Sequence, residues 1–439
     1  MTSNTATSSA PTPPAAARRS RLPSVTGFRW WILLMSLFEK FALSSGAECG
    51  PYDSGRPVVC NVVEIGMMPV VAVLAGFFVL AGFVLTWNAR PGFSKRRFWR
   101  RRFAKIYPLF FLSIMVDMVI RWFTDQPIAT IPVLILNLLM VQTWIPNVDL
   151  FTAVHPVTWT LCCIAFFYLC YPYLYAGLSR LSTRALRFAF AGLIFWPALS
   201  LGVMWLIAPS AVADPFHVGW LLYMFPLARV SEFAIGIVAA LLLQRGAWKG
   251  LRVGPAIAVM VLGYLAGIPV VPFLGPAVPG YSIVLTPLFA LLIVSLANAD
   301  ITGAWSPLRR PFMVHLGNTG YAFYLSHIFI AQNLGQVVPW DNSWQILGYM
   351  AVTFVLSVLL ALALYHWVEL PMQNLLGPKS WSTPAHPARP ADTPTTGVGT
   401  GTGLAGAADT AGGQPAATAN GADRDRADAG RDTRVADPV

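Results

Sequence analysis

The sequence predicts an all-α fold, a polytopic transmembrane helical bundle of about ten spans, on three observations. Hydrophobic residues make up 56% of the chain and charged residues only 11%, too few to clothe a water-soluble domain of this length. Eleven apolar stretches approach the roughly 20 residues that a bilayer needs, at about 28–45, 61–87, 104–122, 128–146, 157–178, 184–207, 219–244, 253–273, 279–298, 317–338 and 344–369. The basic residues gather in short loops between these stretches, the arrangement expected of cytoplasmic loops.

Taken in order, residues 1–23 are rich in Ser, Thr, Pro and Ala and read as a disordered cytoplasmic tail. The first apolar run, 28–45, follows Arg18, Arg19 and Arg21 like a signal peptide, but Glu39 and Lys40 interrupt it, so it reads as an uncleaved span. Cys49 and Cys60 follow in a polar loop expected outside, where they can pair or remain free thiols. After the second span comes RPGFSKRRFWRRRFAK, in which eight of sixteen residues from Arg90 to Lys105 are basic. Such a cluster marks a cytoplasmic loop and is chemically suited to holding a phosphate-bearing anion. The loops SRLSTRALR, QRGAWKGLR and SPLRRPF are basic too, whereas DPFHV, VVPFLGPAVPGYS and WDNS are not. An even number of crossings must therefore separate the basic loops at 90–105 and 180–187, yet three apolar stretches lie between them. The stretch 128–146 is expected not to traverse, which leaves ten spans with both termini in the cytoplasm.

Residues 379–439 are rich in Ala, Gly, Thr and Pro and carry six basic against seven acidic residues, so this second tail is disordered and nearly neutral. The net charge of +11 thus belongs to the N-terminus and the loops beside the spans between residues 24 and 378. That placement argues for a lipid bilayer as partner and against nucleic acid. A multi-pass protein of the cell membrane is the expected location.

Ionisable side chains inside a bilayer cost about 2.5–3.5 kcal/mol each, so Glu39, Lys40, Glu64, Asp117, Arg229, Glu232, His327 and Glu369 stand out. Arg229 and Glu232, three apart on one helix, read as a structural ion pair, and Lys40 can pair with Glu64 or Asp117 across helices. His155 precedes Trp159 in a loop expected outside, where it can meet an acceptor. Cys162, Cys163 and Cys170 read as small core residues; no metal site and no redox cofactor are implied.

Seven segments in order resemble the acyltransferase 3 family of membrane proteins: TGFR at 26–29, FFVLAGFVLTW at 77–87, RRRFAKIYPL at 100–109, PVTWTLCCIAFFYLCYP at 156–172, FPLARVSEFAIG at 225–236, LGNTGYAFYLSH at 316–327 and YHWVELP at 365–371. The resemblance implies the acyltransferase 3 fold and O-acylation of a carbohydrate, lipid or natural product, with acyl-CoA as donor and no other cofactor. It also implies a bacterial source, to which the Ala/Gly/Asp/Arg-rich tail adds. Arg102 and Lys105 match the family's Arg-x-x-Arg motif, with lysine in the second place, and are expected to hold donor phosphates. Arg29 is expected to help at the cytoplasmic entrance, and Trp159 and His327 to contribute to substrate binding.

The chain also departs from the family. Counting eleven positions from Arg29 reaches Lys40, with Glu39 beside it, where the family carries a histidine base. The Trp-Ser-Leu-x-x-Glu stretch reads Trp159, Thr160, Leu161, Cys162, Cys163 and Ile164, so its carboxylate is gone, and Ser-Gly-Phe reads Ala81, Gly82 and Phe83. Lys40, Glu39 or His155 would then serve as base. The rival readings are a repurposed or non-catalytic member of the family, such as a membrane cyclase or ligand-binding protein, and a transporter.

Overall fold

The computed structural model describes residues 21–48, 70–90, 92–155, 157–270, 277–335 and 343–377. Cys49, Cys60 and Glu64 lie outside the described residues, as do the side chains of Glu39 and Lys40 and nearly all of both tails. The described residues all fall in one compact unit, Met1–Trp381.

The long helices are α1 (Pro23–Glu48), α2 (Val70–Trp87), α3 (Lys95–Phe123), α4 (Trp159–Arg180), α5 (Thr183–Ile194), α6 (Trp196–Ile207), α7 (Pro226–Gln244), α8 (Val253–Val270), α9 (Ala277–Thr302), α10 (Pro311–Gly335), α11 (Ser343–Leu364) and the short terminal α12 (Leu370–Leu376). Among the described residues, five helices are long and apolar enough to cross a membrane, or six if α5 and α6 form one span. Those two bend by 53° where Pro197 follows the break at Phe195, so the stretch expected as one span at 184–207 is broken.

Between α3 and α4 the chain holds only short helices, the longest Ile131–Leu138 with eight residues. At 1.5 Å per residue this reaches about 12 Å, less than half of the hydrocarbon core. Both ends of the segment are fastened together. Arg121 at the end of α3 donates from Nη2 to the Val154 carbonyl at 3.0 Å, and Asn137 Nδ2 donates to the Leu150 carbonyl at 3.2 Å. The stretch 128–146 therefore leaves and returns at one end of the bundle.

The opposite end collects the basic loops. Arg245, after α7, donates to the carbonyls of Leu181 and Ser179, and Arg100 donates to Leu376 O at 3.0 Å. Ser24 at the start of α1 donates from its amide and hydroxyl to the Asp300 carboxylate, which also takes Arg309 Nε at 3.1 Å. The starts of α1 and α3 and the ends of α4, α7, α9 and α12 thus share one face, here called the basic end.

Helix α7 is the central column. In the span Phe216–Gln244, 89% of the most apolar window is buried, against 28% in the spans containing α3 and α11, so the last two present their outer faces to lipid. Lipid is as apolar as a leucine side chain, so close backbone approach replaces hydrophobic exclusion as the force that joins such helices. At the α2–α7 crossing, a Cβ on Gly82 would strike the Phe233 carbonyl, and one on Gly236 would strike the Val79 carbonyl. Helices α1 and α10 cross in the same way, with Gly317 against the Thr26 carbonyl, and Gly27 lies against the Leu308 carbonyl in the 3-10 turn that precedes α10.

Gly82→Ala is expected to destabilise the protein by about 1–3 kcal/mol through overpacking, whereas Gly202→Ala in α6, where nothing lies within 4 Å of the added methyl, should stabilise by up to about 1 kcal/mol; thermal unfolding in detergent reads both. Single cysteines at Gln126 and Asn147 are expected to react with a membrane-impermeant thiol reagent from one side, and labelling from opposite sides would overturn the returning segment.

Candidate active site

Two groups of polar side chains lie inside the bundle, at different depths. The first is near the basic end. Glu369 before α12 interacts electrostatically with Arg29 on α1 and Lys105 on α3, and Arg102 on α3 is a like-charged neighbour of both; Tyr168 and Tyr365 are further neighbours of Arg29. One turn farther along α1, Gly320 of α10 admits the side chain of Leu33, which an added Cβ would strike. Lys105 lies three residues after Arg102 on α3, which brings both to one side of the helix. The Arg102 guanidinium lies over the rings of Phe98 and Tyr168, at 5.6 and 5.7 Å from their centroids. Glu369 is 2% exposed and accepts Gln373 Nε2 at 3.0 Å. It closes a π-helical turn, Tyr365–Glu369, a backbone distortion that often marks functional sites. Three cations face one carboxylate, a local balance of about +2 if all are ionised.

The second group lies deeper and joins two segments 164–170 residues apart. His155 sits just before α4, its carbonyl accepting both the amide and the hydroxyl of Thr158, at 3.0 and 2.7 Å. Its Nε2 is 3.0 Å from the Leu325 carbonyl of α10. A carbonyl only accepts, so Nε2 carries a hydrogen and donates it to Leu325. Beside it, Thr160 Oγ1 and Tyr324 Oη are 2.7 Å apart. His155 is 1% exposed because α10 covers the turn.

His327 is buried, with Nδ1 3.2 Å from the Phe323 carbonyl, and its ring stacks on Phe323 at 5.7 Å. Trp159 begins α4 and packs on Tyr223 at 4.7 Å. Tyr223 also lies 5.6 Å from the Arg229 guanidinium. This tyrosine belongs to a second π turn, Trp220–Met224. Pro226 has no N–H to give the Leu222 carbonyl, and Arg229 Nη1 approaches that carbonyl at 3.5 Å.

Arg229 and Glu232 form the expected ion pair, 3.1 Å apart, with side chains 2% and 4% exposed. Asp117 is held by Arg121, one turn along the same helix, at 2.8 Å; the side chain of Lys40, for which pairing with Glu64 or Asp117 is expected, lies outside the described residues. Cys162 accepts the Thr143 hydroxyl at 2.8 Å, and Cys163 and Ile164 lie in the apolar core beside it. The carboxylate absent at Ile164 is thus replaced by packing.

A cavity of about 150 Å³ opens between α3, α10 and α11, lined chiefly by leucines with Val116 and Phe329. His155 forms part of its wall, together with Ser113 and Ser326.

Residues 62–362 match the acyltransferase domain of the acyltransferase 3 family. The chain belongs to that family. It is also similar to "Acyltransferase MdmB" of Streptomyces mycarofaciens, 32% identical over 375 residues that cover 81% of this chain and 93% of the relative. No solved structure matches the chain. Of the site residues named from the sequence of this acyltransferase, the structure gathers Arg29, Arg102 and Lys105 in one group and sets His155, Trp159 and His327 on the deeper helix contacts. Glu369, Tyr168, Tyr223 and Tyr324 had no assigned role. The signal for Glu369 was present in YHWVELP, a carboxylate inside an apolar stretch. The tyrosines carry no comparable signal.

Breaking a buried ion pair costs about 3–5 kcal/mol, but replacing both partners by apolar residues is often neutral. Glu232→Leu is therefore expected to lower the thermal midpoint sharply, and the double variant with Arg229→Met to restore most of the loss.

Proposed function

We propose that this membrane acyltransferase moves an acyl group from acyl-CoA to a hydroxyl of a carbohydrate, lipid or natural product at the cell membrane, with the basic end in the cytoplasm. The observation that carries the reading is the cationic group of Arg29, Arg102 and Lys105 around the single carboxylate of Glu369. Its surplus of positive charge suits an anion of charge near −2, and the phosphates of coenzyme A have that chemistry. Glu369 keeps Lys105 and Arg29 directed into the group while the donor is absent.

The acceptor hydroxyl approaches the thioester from the deeper side. His155 is oriented by the Leu325 carbonyl, and its Nδ1 removes the hydroxyl proton as the oxygen attacks the acyl carbon. The tetrahedral intermediate collapses with loss of the coenzyme A thiolate, and the proton on His155 returns to that sulfur. The products are an ester and free coenzyme A. Acyl-CoA is a co-substrate and nothing else is consumed. Lys40 and Glu39 on α1 are the competing candidates for the base.

Purified protein in nanodiscs, supplied with acyl-CoA and candidate acceptors, is expected to release coenzyme A only when an acceptor is present. His155→Ala should lower kcat by about 10²–10⁴ with little change in the KM for acyl-CoA. Loss of turnover in Lys40→Ala or Glu39→Ala with His155→Ala near wild type would move the base to the first span. No release across acyl donors and acceptors would favour the repurposed or non-catalytic reading.

A further inference from the structure

The first half of α3 carries a second set of basic residues, on the side of the helix away from the cationic group. Between Arg90 and Arg101 the sequence places six basic residues and no acidic one. Among the described residues no carboxylate forms a salt bridge with Arg96, Arg97 or Arg100, and Arg101 has Arg90, Arg97 and Arg102 as like-charged neighbours. Arg96 and Arg100 are exposed, and Arg100 commits only its Nε, to the Leu376 carbonyl at 3.0 Å.

Arg96, Arg100, Phe103, Tyr107 and Phe111 follow at spacings of four, three, four and four, so they form one stripe of α3. Phe98, Arg102, Lys105 and Leu109 form the stripe that faces the bundle, roughly half a turn away at about 100° per residue. The three rings of the outer stripe stack on one another. Phe103 and Tyr107 are 4.6 Å apart with planes at 17°, and Tyr107 and Phe111 are 6.4 Å apart at 20°. Phe103 and Phe111 are exposed, as is Leu376 of α12 beside Arg100. From Arg100 to Phe111 the stripe runs about 16 Å, near half of the hydrocarbon core and so the depth of one leaflet.

An ordinary lipid tail accounts for the rings and a free phosphate for the arginines. A molecule with a phosphate at the interface and a chain one leaflet long takes both. A zwitterionic headgroup offsets its own phosphate, whereas a net-negative one leaves its charge to the two arginines. We infer that this stripe binds an anionic phospholipid of the leaflet at the basic end, with the phosphate held by Arg96 and Arg100 and an acyl chain along Phe103, Tyr107 and Phe111. The site faces the bilayer and does not depend on which donor the enzyme uses.

The test mixes the full chain in detergent with equal amounts of phosphatidylglycerol and phosphatidylcholine, in two reactions in which one lipid or the other bears a diazirine on its acyl chain. Adducts on residues 96–111 or 370–376 are expected at least fivefold more often from phosphatidylglycerol. Each arginine near an anionic surface contributes about fivefold in affinity. Arg96→Gln should therefore lower those adducts at least threefold and Arg96→Gln/Arg100→Gln at least tenfold, while phosphatidylcholine adducts, which report an intact fold, stay unchanged. Arg184→Gln/Arg187→Gln, at exposed positions of α5 near the same end, should change neither, which separates a site from general surface charge. Equal labelling by the two lipids in wild type, no adducts on these segments, an equal loss in the α5 variant, or adducts that survive the α3 double substitution would each overturn the inference. Phosphatidylglycerol adducts that disappear when acetyl-CoA is added would also overturn it, by giving the stripe to the donor.

Discussion

Charge buried at membrane depth has to be neutralised by the protein or by something it binds, and the interior of this protein is organised around that constraint. Arg229 has Glu232, Asp117 has Arg121, and Asp300 has Arg309 together with the hydroxyl and amide of Ser24. The group at the basic end differs in kind, since Arg29 and Lys105 share Glu369 and Arg102 adds a third positive charge beside them. Structural pairs close on themselves; a group with a surplus invites a ligand of the opposite sign.

The helix packing positions that group. Arg29 is aimed by α1, which α10 holds through Gly317 on the Thr26 carbonyl and Gly320 beside the Leu33 side chain. The sequence segments that resemble the family thus serve two purposes. TGFR and LGNTGY bring helices to backbone contact, while the residues next to those glycines reach the interior. The two π turns do similar work. One carries Tyr223 to Trp159 and the other carries Glu369 to the cations, and each is followed closely by a proline, Pro226 or Pro371. A proline inside a helix leaves backbone carbonyls without their N–H partner, and in the first case a buried guanidinium approaches the carbonyl.

Much of the fold is legible in the sequence because hydropathy and loop charge act through the bilayer itself. The spans, the grouping of the basic loops, the returning stretch at 128–146 and the Arg229–Glu232 pair follow from length, parity and helical spacing. The break at Phe195 was not legible, because apolar periodicity runs through it and Pro197 is compatible with the first turn of a new helix as well as with a kink. The pairing of Arg121 with Asp117 was not legible, because from the sequence Arg121 looks like a terminal interfacial residue. The burial of His155 was not legible, since nothing local announces that α10 covers it; the contact depends on Leu325, 170 residues away. Long-range pairing of this kind has no periodic signature, which is why the cationic half of the site was readable and the tyrosines and the covered histidine were not.

The measurement that tests the account most directly compares acyl-CoA with the corresponding acyl-pantetheine, which has the same thioester and acyl group but no phosphate. The account predicts that wild type prefers acyl-CoA by a factor of about ten to a hundred in kcat/KM, in line with one or two charge-assisted contacts, and that an Arg102→Gln/Lys105→Gln variant loses most of that preference. A preference equally large in the variant would contradict the claim that this cationic group holds the donor.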